Sequence, residues 1–281
     1  MTNMFKTFIF LAALTALFMV VGQVLAGKTG MYVALIIAII MNFVAYWFSG
    51  SIALKMSGAV PINELEAPGL HQTISYLARN AGIPKPKVYF IPDESPNAFA
   101  TGRNPQNAAV AVTRGLMNLL DREEVEGVLA HELAHIKNRD ILISSIAAMI
   151  AGAISSITTM AQWAMLFGAS DDEDGGGNNF AAIIMIIVAP IAAMLIQMAI
   201  SRSREYLADQ TGAQISGRPQ NLASALKKID MWAHQLPMNV NPATAQMYII
   251  NPLKSGFIQN LFSTHPPIEE RVRRLMELRR V

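Results

Sequence analysis

DREEVEGVLAHELAHIKNRD, residues 121–140, is the stretch on which the reading of this chain turns. Its centre, His131-Glu132-Leu133-Ala134-His135, has the form H-E-x-x-H. On a helix, positions four apart stand one above the other, so both imidazoles can reach one metal ion and Glu132 becomes the candidate general base. The flanks favour that helix. Asp121 stands before Arg122, Glu123 and Glu124 as a capping-box start, and the acidic first turn complements the helix dipole. Val125, Val128, Leu129 and Ile136 form an apolar stripe with the histidines on a neighbouring face, which places the metal site at a helix surface backed by packing. The bland alternative is two polar histidines on a solvated helix. The chain has five histidines in 281 residues, and two of them at ligand spacing around a glutamate favour the metal.

A catalytic zinc takes three protein ligands and keeps a fourth position open, so a further ligand is expected downstream. SRSREYLAD, residues 201–209, offers Glu205. Asp209 lies one turn further on, where it can accept a hydrogen bond from the non-metal nitrogen of a ligating histidine. The same spacing also suits two surface carboxylates partnering Arg202 and Arg204, and spacing alone leaves both readings open.

Composition says where such chemistry would sit. The chain is 52% hydrophobic and only 15% charged, with mean hydropathy +0.33, unusual values for a soluble enzyme of this length. The excess lies in four charge-free stretches: Lys6 to Lys28, Lys28 to Lys55, Asp140 to Asp171, and Phe180 to Ile200. Each has the roughly 20 residues that cross a hydrocarbon core, and all four read as transmembrane helices. Val24-Leu25-Ala26 before Gly27 also resembles a signal-peptide cleavage site, but the apolar run is long and a second span follows at once, which favours an uncleaved hairpin. The loop between the first two spans carries only Lys28, and that between the last two, Asp171 to Asn179, is acidic and glycine-rich. Nearly all the basic residues lie in the segment from Lys55 to Asp140 and after Arg202, so both termini and those segments are expected on the cytoplasmic side. His131 and His135 then precede the third span and Glu205 follows the fourth, which returns all three to one membrane face.

Between the second span and the motif helix the periodicity changes. Lys87 to Pro92, Asn97-Ala98-Phe99-Ala100 and Ala108 to Thr113 read as short strands punctuated by proline and glycine. A small sheet beside the zinc helix can offer its edge to an extended peptide; a purely structural meander would read the same. His71, on an amphipathic segment with Leu70, Ile74 and Leu77, and His234, after Trp232, read as structural or solvated. The chain has no cysteine, so neither disulfides nor thiolate ligands enter. A net charge of +2 without a basic domain gives no sign of nucleic-acid binding. The charge-free spans argue against an ion pathway.

HELAHIKNRD at 131–140, SREYLADQTGA at 203–213 and STHPPIEERVRRL at 263–275 together resemble the HtpX family of bacterial membrane-bound heat-shock zinc metallopeptidases. The endoplasmic-reticulum proteases that process prenylated CAAX proteins are more distant relatives. The resemblance covers essentially the whole chain. It implies a mainly α membrane protein with four transmembrane helices and a cytoplasmic, gluzincin-like α+β zinc peptidase domain carrying a small sheet. One Zn2+ per chain would be held by His131, His135 and Glu205, with Glu132 as catalytic base and Asp209 behind a ligand. His265 and Arg271 match the pair that contacts the substrate carbonyl or oxyanion, and Asn97, Ala98, Phe99 and Ala100 the substrate-edge strand. By the residues alone, His265 in Thr264-His265-Pro266-Pro267 also reads as a helix-opening turn residue. Arg271, Arg273, Arg274, Arg279 and Arg280 likewise read as a basic face paired with Glu269 and Glu270. The expected organisation is a transmembrane hairpin at 1–54, a catalytic region at 55–140, a second hairpin at 141–200 and a cytoplasmic region at 201–281. The implied setting is the bacterial inner membrane, and the implied role is quality control of misfolded or damaged membrane proteins, with those proteins, the lipid bilayer and other quality-control proteases as partners.

Overall fold

A computed structural model describes residues 3–147, 202–235, 249 and 266–278. The chain opens with α1, Asn3–Met56, which breaks at Ala26 and Gly27, the latter at φ 61°. Only glycine adopts that backbone at no steric penalty, and the two arms fold back on each other there. Gly22 and Gly30 let the arms touch: a Cβ on Gly22 would lie 2.4 Å from the Gly30 carbonyl oxygen. Further along, Asn42 Nδ2 donates to Thr15 Oγ1 at 2.8 Å. α1 is therefore a helical hairpin. Its second arm, Ala26–Met56, is 31 residues long with mean hydropathy 2.1, enough to cross a membrane, whereas Thr7–Val20 is a shorter apolar helix. Of the third expected span only 141–147 is described, as helix, and Leu142 and Ile146 pack with Leu14 and Ala45 of α1. The rest of it, the acidic loop and the fourth span lie outside the described residues.

After α1 come β1 (Val60–Pro61), α2 (Pro68–Ala81), β2 (Lys87–Ile91), β3 (Ala98–Gly102) and β4 (Ala108–Thr113). The sheet order is β1-β2-β4-β3, with β2 parallel to β4 and β3 antiparallel to it, Ala100 opposite Val110. Side chains alternate between two buried faces. Val88, Ala98, Ala100, Val110 and Val112 enter the main core with α2 and α4; Ile91, Phe99, Ala109 and Ala111 pack with Leu54 at the end of α1. The three strands read from sequence are all present, and the sheet joins the hairpin to the helix that carries His131 and His135.

That helix, α4 (Arg122–Lys137), follows the short α3 (Arg114–Leu119). Its capping box is complete: Asp121 Oδ1 accepts from the Glu124 amide at 2.9 Å, and Glu124 Oε2 from the Asp121 amide at 3.0 Å. The remaining described helices are α5 (Arg202–Ser216), α6 (Pro219–Gln235) and α7 (Ile268–Leu278). The histidines lie on the face beside the apolar stripe, and the helix is buried more deeply than that stripe alone requires. Val128, Leu129, Ala130, Leu133, Ala134 and Ile136 are all fully enclosed, and His131 and Glu132 are buried with them. The helix is the centre of the domain, covered by α5, α6, α2 and β3, so its polar face is enclosed as well as its apolar stripe. Gly127 admits one neighbour, since a Cβ there would lie 2.5 Å from the Leu222 amide nitrogen of α6.

Candidate active site

The spacing on α4 brings His131 Nε2 and His135 Nε2 to 3.1 Å of each other. Glu205 of α5 places Oε2 3.7 Å from the first and Oε1 3.7 Å from the second. Ligand bonds of about 2.0–2.1 Å in tetrahedral geometry put neighbouring ligand atoms roughly 3.3 Å apart, so this triangle fits an ion of zinc's size. The three donors can hold a metal ion without rearrangement. α5 lies close enough because of Gly212: a Cβ there would sit 3.0 Å from His131 Cα. Glu205, Asp209 and Gly212 are spaced i, i+4, i+7, one face of α5, so the glycine contact aims both carboxylates at α4.

Each histidine has a carboxylate behind it. His131 Nδ1 stands 3.0 Å from Asp209 Oδ1, close enough for charge pairing though not aligned as a hydrogen bond. Asp209 is gripped in turn by Arg271 of α7, with Nε donating to Oδ2 at 2.9 Å and Nη2 to Oδ1 at 2.7 Å. Burial opposes ionisation of Asp209, but the guanidinium beside it more than offsets this and holds the carboxyl below its usual range. On the other histidine, Nδ1 meets Asp140 Oδ2 at 3.1 Å. Burial works against a charged His135, yet Asp140, Glu205 and Glu132 around it outweigh that and push it up to about 10 when no cation competes for its lone pair.

Glu132 is 4% exposed, and its Oε2 accepts a hydrogen bond from the Ala100 amide of β3 at 2.8 Å. Burial, and secondarily the negative Glu205, raise its pKa, against the opposite pull of His131, His135 and that amide. A carboxylate raised in this way is a better base at neutral pH than one in water. The Ala100 contact also shows which way β3 faces. Ala100 lies on the edge away from β4, as does Gly102, whose amide points at Ser145 Oγ at 3.4 Å, so the strand's outer edge runs past the base. Ala98 shares that edge by alternation, and Phe99 faces the α1 side.

The other expected site residues fall into distinct places. Asn97 is buried, and its Oδ1 accepts from the Ile249 amide at 3.2 Å. Arg271 is wholly enclosed; beyond its hold on Asp209, its Nη1 donates to the Ile249 carbonyl at 3.1 Å. The same Nη1 lies 3.7 Å from Glu205 Oε2, so Arg271 sits beside the His131–His135–Glu205 group and not on an exposed basic face. Arg273 and Arg274 do occupy that face, paired with Glu270. His265 and the side chain of His234 lie outside the described residues. His71 is structural, its Nε2 3.0 Å from the Ile62 carbonyl oxygen. Sequence reasoning missed Asp140 and the burial of Arg204, which is 6% exposed with both terminal nitrogens lacking a hydrogen bond among the described residues. Asp140 carried a signal, an acid just past the helix end, but its aim depends on Arg139 adopting φ 57°.

Residues 64–279 match the family described as peptidase family M48. A "Protease HtpX homolog" of Persephonella marina is 58% identical over 279 residues, covering 98% of this chain and 97% of that protein. One of Syntrophobacter fumaroxidans is 53% identical over 282 residues, covering 99% and 100%. Another, of Pyrococcus abyssi, is 53% identical over 274 residues, covering 97% and 95%. Among solved structures, the crystal structure of S. mikatae Ste24p superposes with TM-score 0.52 at 18% identity; it matches 97% of this chain, which spans 65% of that structure's length. The fold is thus shared with that protein, and the sequence with proteases over nearly their whole length: the chain belongs to peptidase family M48, among the HtpX proteases.

Proposed function

We propose that this protein is a membrane-anchored zinc metalloendopeptidase that cleaves misfolded or damaged membrane proteins from the cytoplasmic side of a bacterial inner membrane. The observation that carries the chemistry is the His131–His135–Glu205 triangle with the Glu132 carboxylate beside it. A zinc ion bound there would polarise the scissile carbonyl and make a water molecule acidic enough to attack near neutral pH. Glu132 takes the proton from the attacking water and delivers it to the leaving amine; its raised pKa suits both halves of that transfer. Asp209 and Asp140 keep Nδ1 of each histidine engaged, so Nε2 faces the metal. The peptide lies along the outer edge of β3, residues Asn97 to Ala100, held through its main chain, so many sequences are accepted. We assign Arg271 to positioning Asp209, because its guanidinium is enclosed with Asp209 and Ile249, and leave stabilisation of the oxyanion to His265.

The membrane reading rests on the apolar hairpin of α1 and the charge-free stretches that follow in sequence. It places 1–54 and 141–200 in the bilayer and 55–140 and 201–281 on the cytoplasmic face, with other quality-control proteases acting beside it. The deciding experiment uses detergent-purified full-length protein and unfolded casein. Cleavage by wild type is expected to vanish on chelation and return with zinc, while Glu132→Gln binds zinc and stays inactive by at least about a thousandfold. Full activity in Glu132→Gln would remove the assignment.

A further inference from the structure

Where α1 meets the sheet, a polar cavity opens beside the last turns of the apolar span. Two glycines bring its walls together: a Cβ on Gly50 of α1 would come within 3.0 Å of Gly102 Cα at the end of β3. Gly102 has φ 133°, and a Cβ there would lie 2.3 Å from the Asn107 carbonyl oxygen, so its own backbone forms the wall. Lys87 of β2 and Arg103 line this cavity together with Ser51, Gln106 and Asn107, and among the described residues no aspartate or glutamate does. The Arg103 guanidinium lies over the Trp47 ring at 4.2 Å.

Some cations of the domain are neutralised at close range. Lys85 pairs with Glu64, Arg114 with Glu94 and Lys228 with Glu124. Among the described residues Lys87 and Arg103 have no carboxylate partner, yet they border the same cavity. Two unneutralised cations beside a hydroxyl and side-chain amides suit an oxyanion that accepts several hydrogen bonds, and guanidinium geometry suits phosphate in particular. Next to the cavity Phe43, Trp47 and Phe48 of α1 are 57%, 44% and 50% exposed. Tryptophan beside a basic residue at the end of an apolar span marks the headgroup level of a bilayer. A ligand with a phosphate at that depth and acyl chains along those aromatic rings would satisfy both halves of the surface.

We propose that this cavity binds the phosphate of an anionic phospholipid headgroup and so fixes the depth and tilt of the catalytic domain on the membrane. The inference rests on the membrane reading of α1 given above. Because Gly102 ends the strand whose Ala100 amide touches Glu132, the bound lipid abuts the same β-strand that borders the catalytic base.

The test is thermal unfolding of full-length protein in neutral detergent, titrated with short-chain phosphatidylglycerol, short-chain phosphatidylcholine or glycerol 3-phosphate. Wild type is expected to be stabilised by phosphatidylglycerol at concentrations roughly 30-fold below those of phosphatidylcholine, the factor two interfacial cations supply together. The double variant Lys87→Gln/Arg103→Gln should lose that preference while cleaving casein normally, and Lys87→Arg/Arg103→Lys should restore it. An unchanged preference in the Gln variant, or none in wild type, overturns the proposal; a full shift with glycerol 3-phosphate alone also overturns it, assigning the cavity to a free phosphate. Carbonate extraction of wild-type membranes checks the membrane reading separately, since release of the protein would remove that reading whatever the titrations show.

Discussion

His131 and His135 look alike at the metal triangle and differ behind it. Each presents Nε2 3.7 Å from a Glu205 oxygen and Nδ1 about 3 Å from a carboxylate. The acid behind His135 is Asp140, five residues along the same chain segment. The acid behind His131 is Asp209, on another helix and clamped by Arg271 from a third. The His131 side chain is 1% exposed and that of His135 17%. One arm lies within α4 and the turn after it, with Arg204 of α5 a nearby charge that acts on Asp140; the other spans α4, α5 and α7. Both histidines meet Glu205 of α5, so what separates them is the acid behind each: a distant helix for His131 and the neighbouring turn for His135.

The comparison is broken most severely at Arg271. Arg271→Met leaves Asp209 charged and buried without its partner, a loss of about 3–5 kcal/mol. Thermal unfolding and zinc content should fall together, and unchanged values for both would mean that the long arm is not structural. A gentler cut compares Asp209→Asn with Asp140→Asn, each expected to weaken zinc binding roughly 10–100-fold. Only the first should also lower the melting temperature strongly, because it strands the enclosed guanidinium of Arg271.

The arms also differ in proton linkage. With His135 pushed up to about 10 from an ordinary value near 6.5, its proton stabilises the metal-free protein fully below about pH 6.5, and that contribution disappears as pH rises towards 10. Zinc must displace the proton, so its affinity should rise by up to about tenfold per pH unit across this window. Chelator competition at several pH values measures the slope; Asp140→Asn, which removes one of the charges holding the proton, should flatten it. The smallest effect is expected at Arg139. Its left-handed backbone at φ 57° swings the chain so that the Asp140 carboxylate returns to His135. Arg139→Gly relieves a strain of about 1 kcal/mol there at some expense in unfolded-state entropy. The melting temperature should move little and zinc affinity not at all; a large loss of affinity would show that Arg139 does more than turn the chain.

Much of the site was legible from local spacing. Spacing alone left Glu205 and Asp209 open between a ligand pair and two surface carboxylates, whereas the capping box at Asp121 and the i, i+4 histidines with Glu132 between them each need only one helix to be read. The three strands and the glycine-broken hairpin followed from alternation and apolar length for the same reason. Those features are set by hydrogen bonds and side-chain directions within a turn or two, which a sequence carries by itself. Tertiary structure alone decided that α4 is buried along most of its length between its exposed ends, that Gly212 seats α5 against His131, and that Arg271 turns inward to Asp209 while Arg273 and Arg274 on the same short helix stay outside. Such facts depend on which distant surfaces meet. Arginines two and three residues apart carry the same charge and differ only in the direction their helix gives them, so burial against α5, and not residue type, separates the one that supports a metal ligand from those that face solvent.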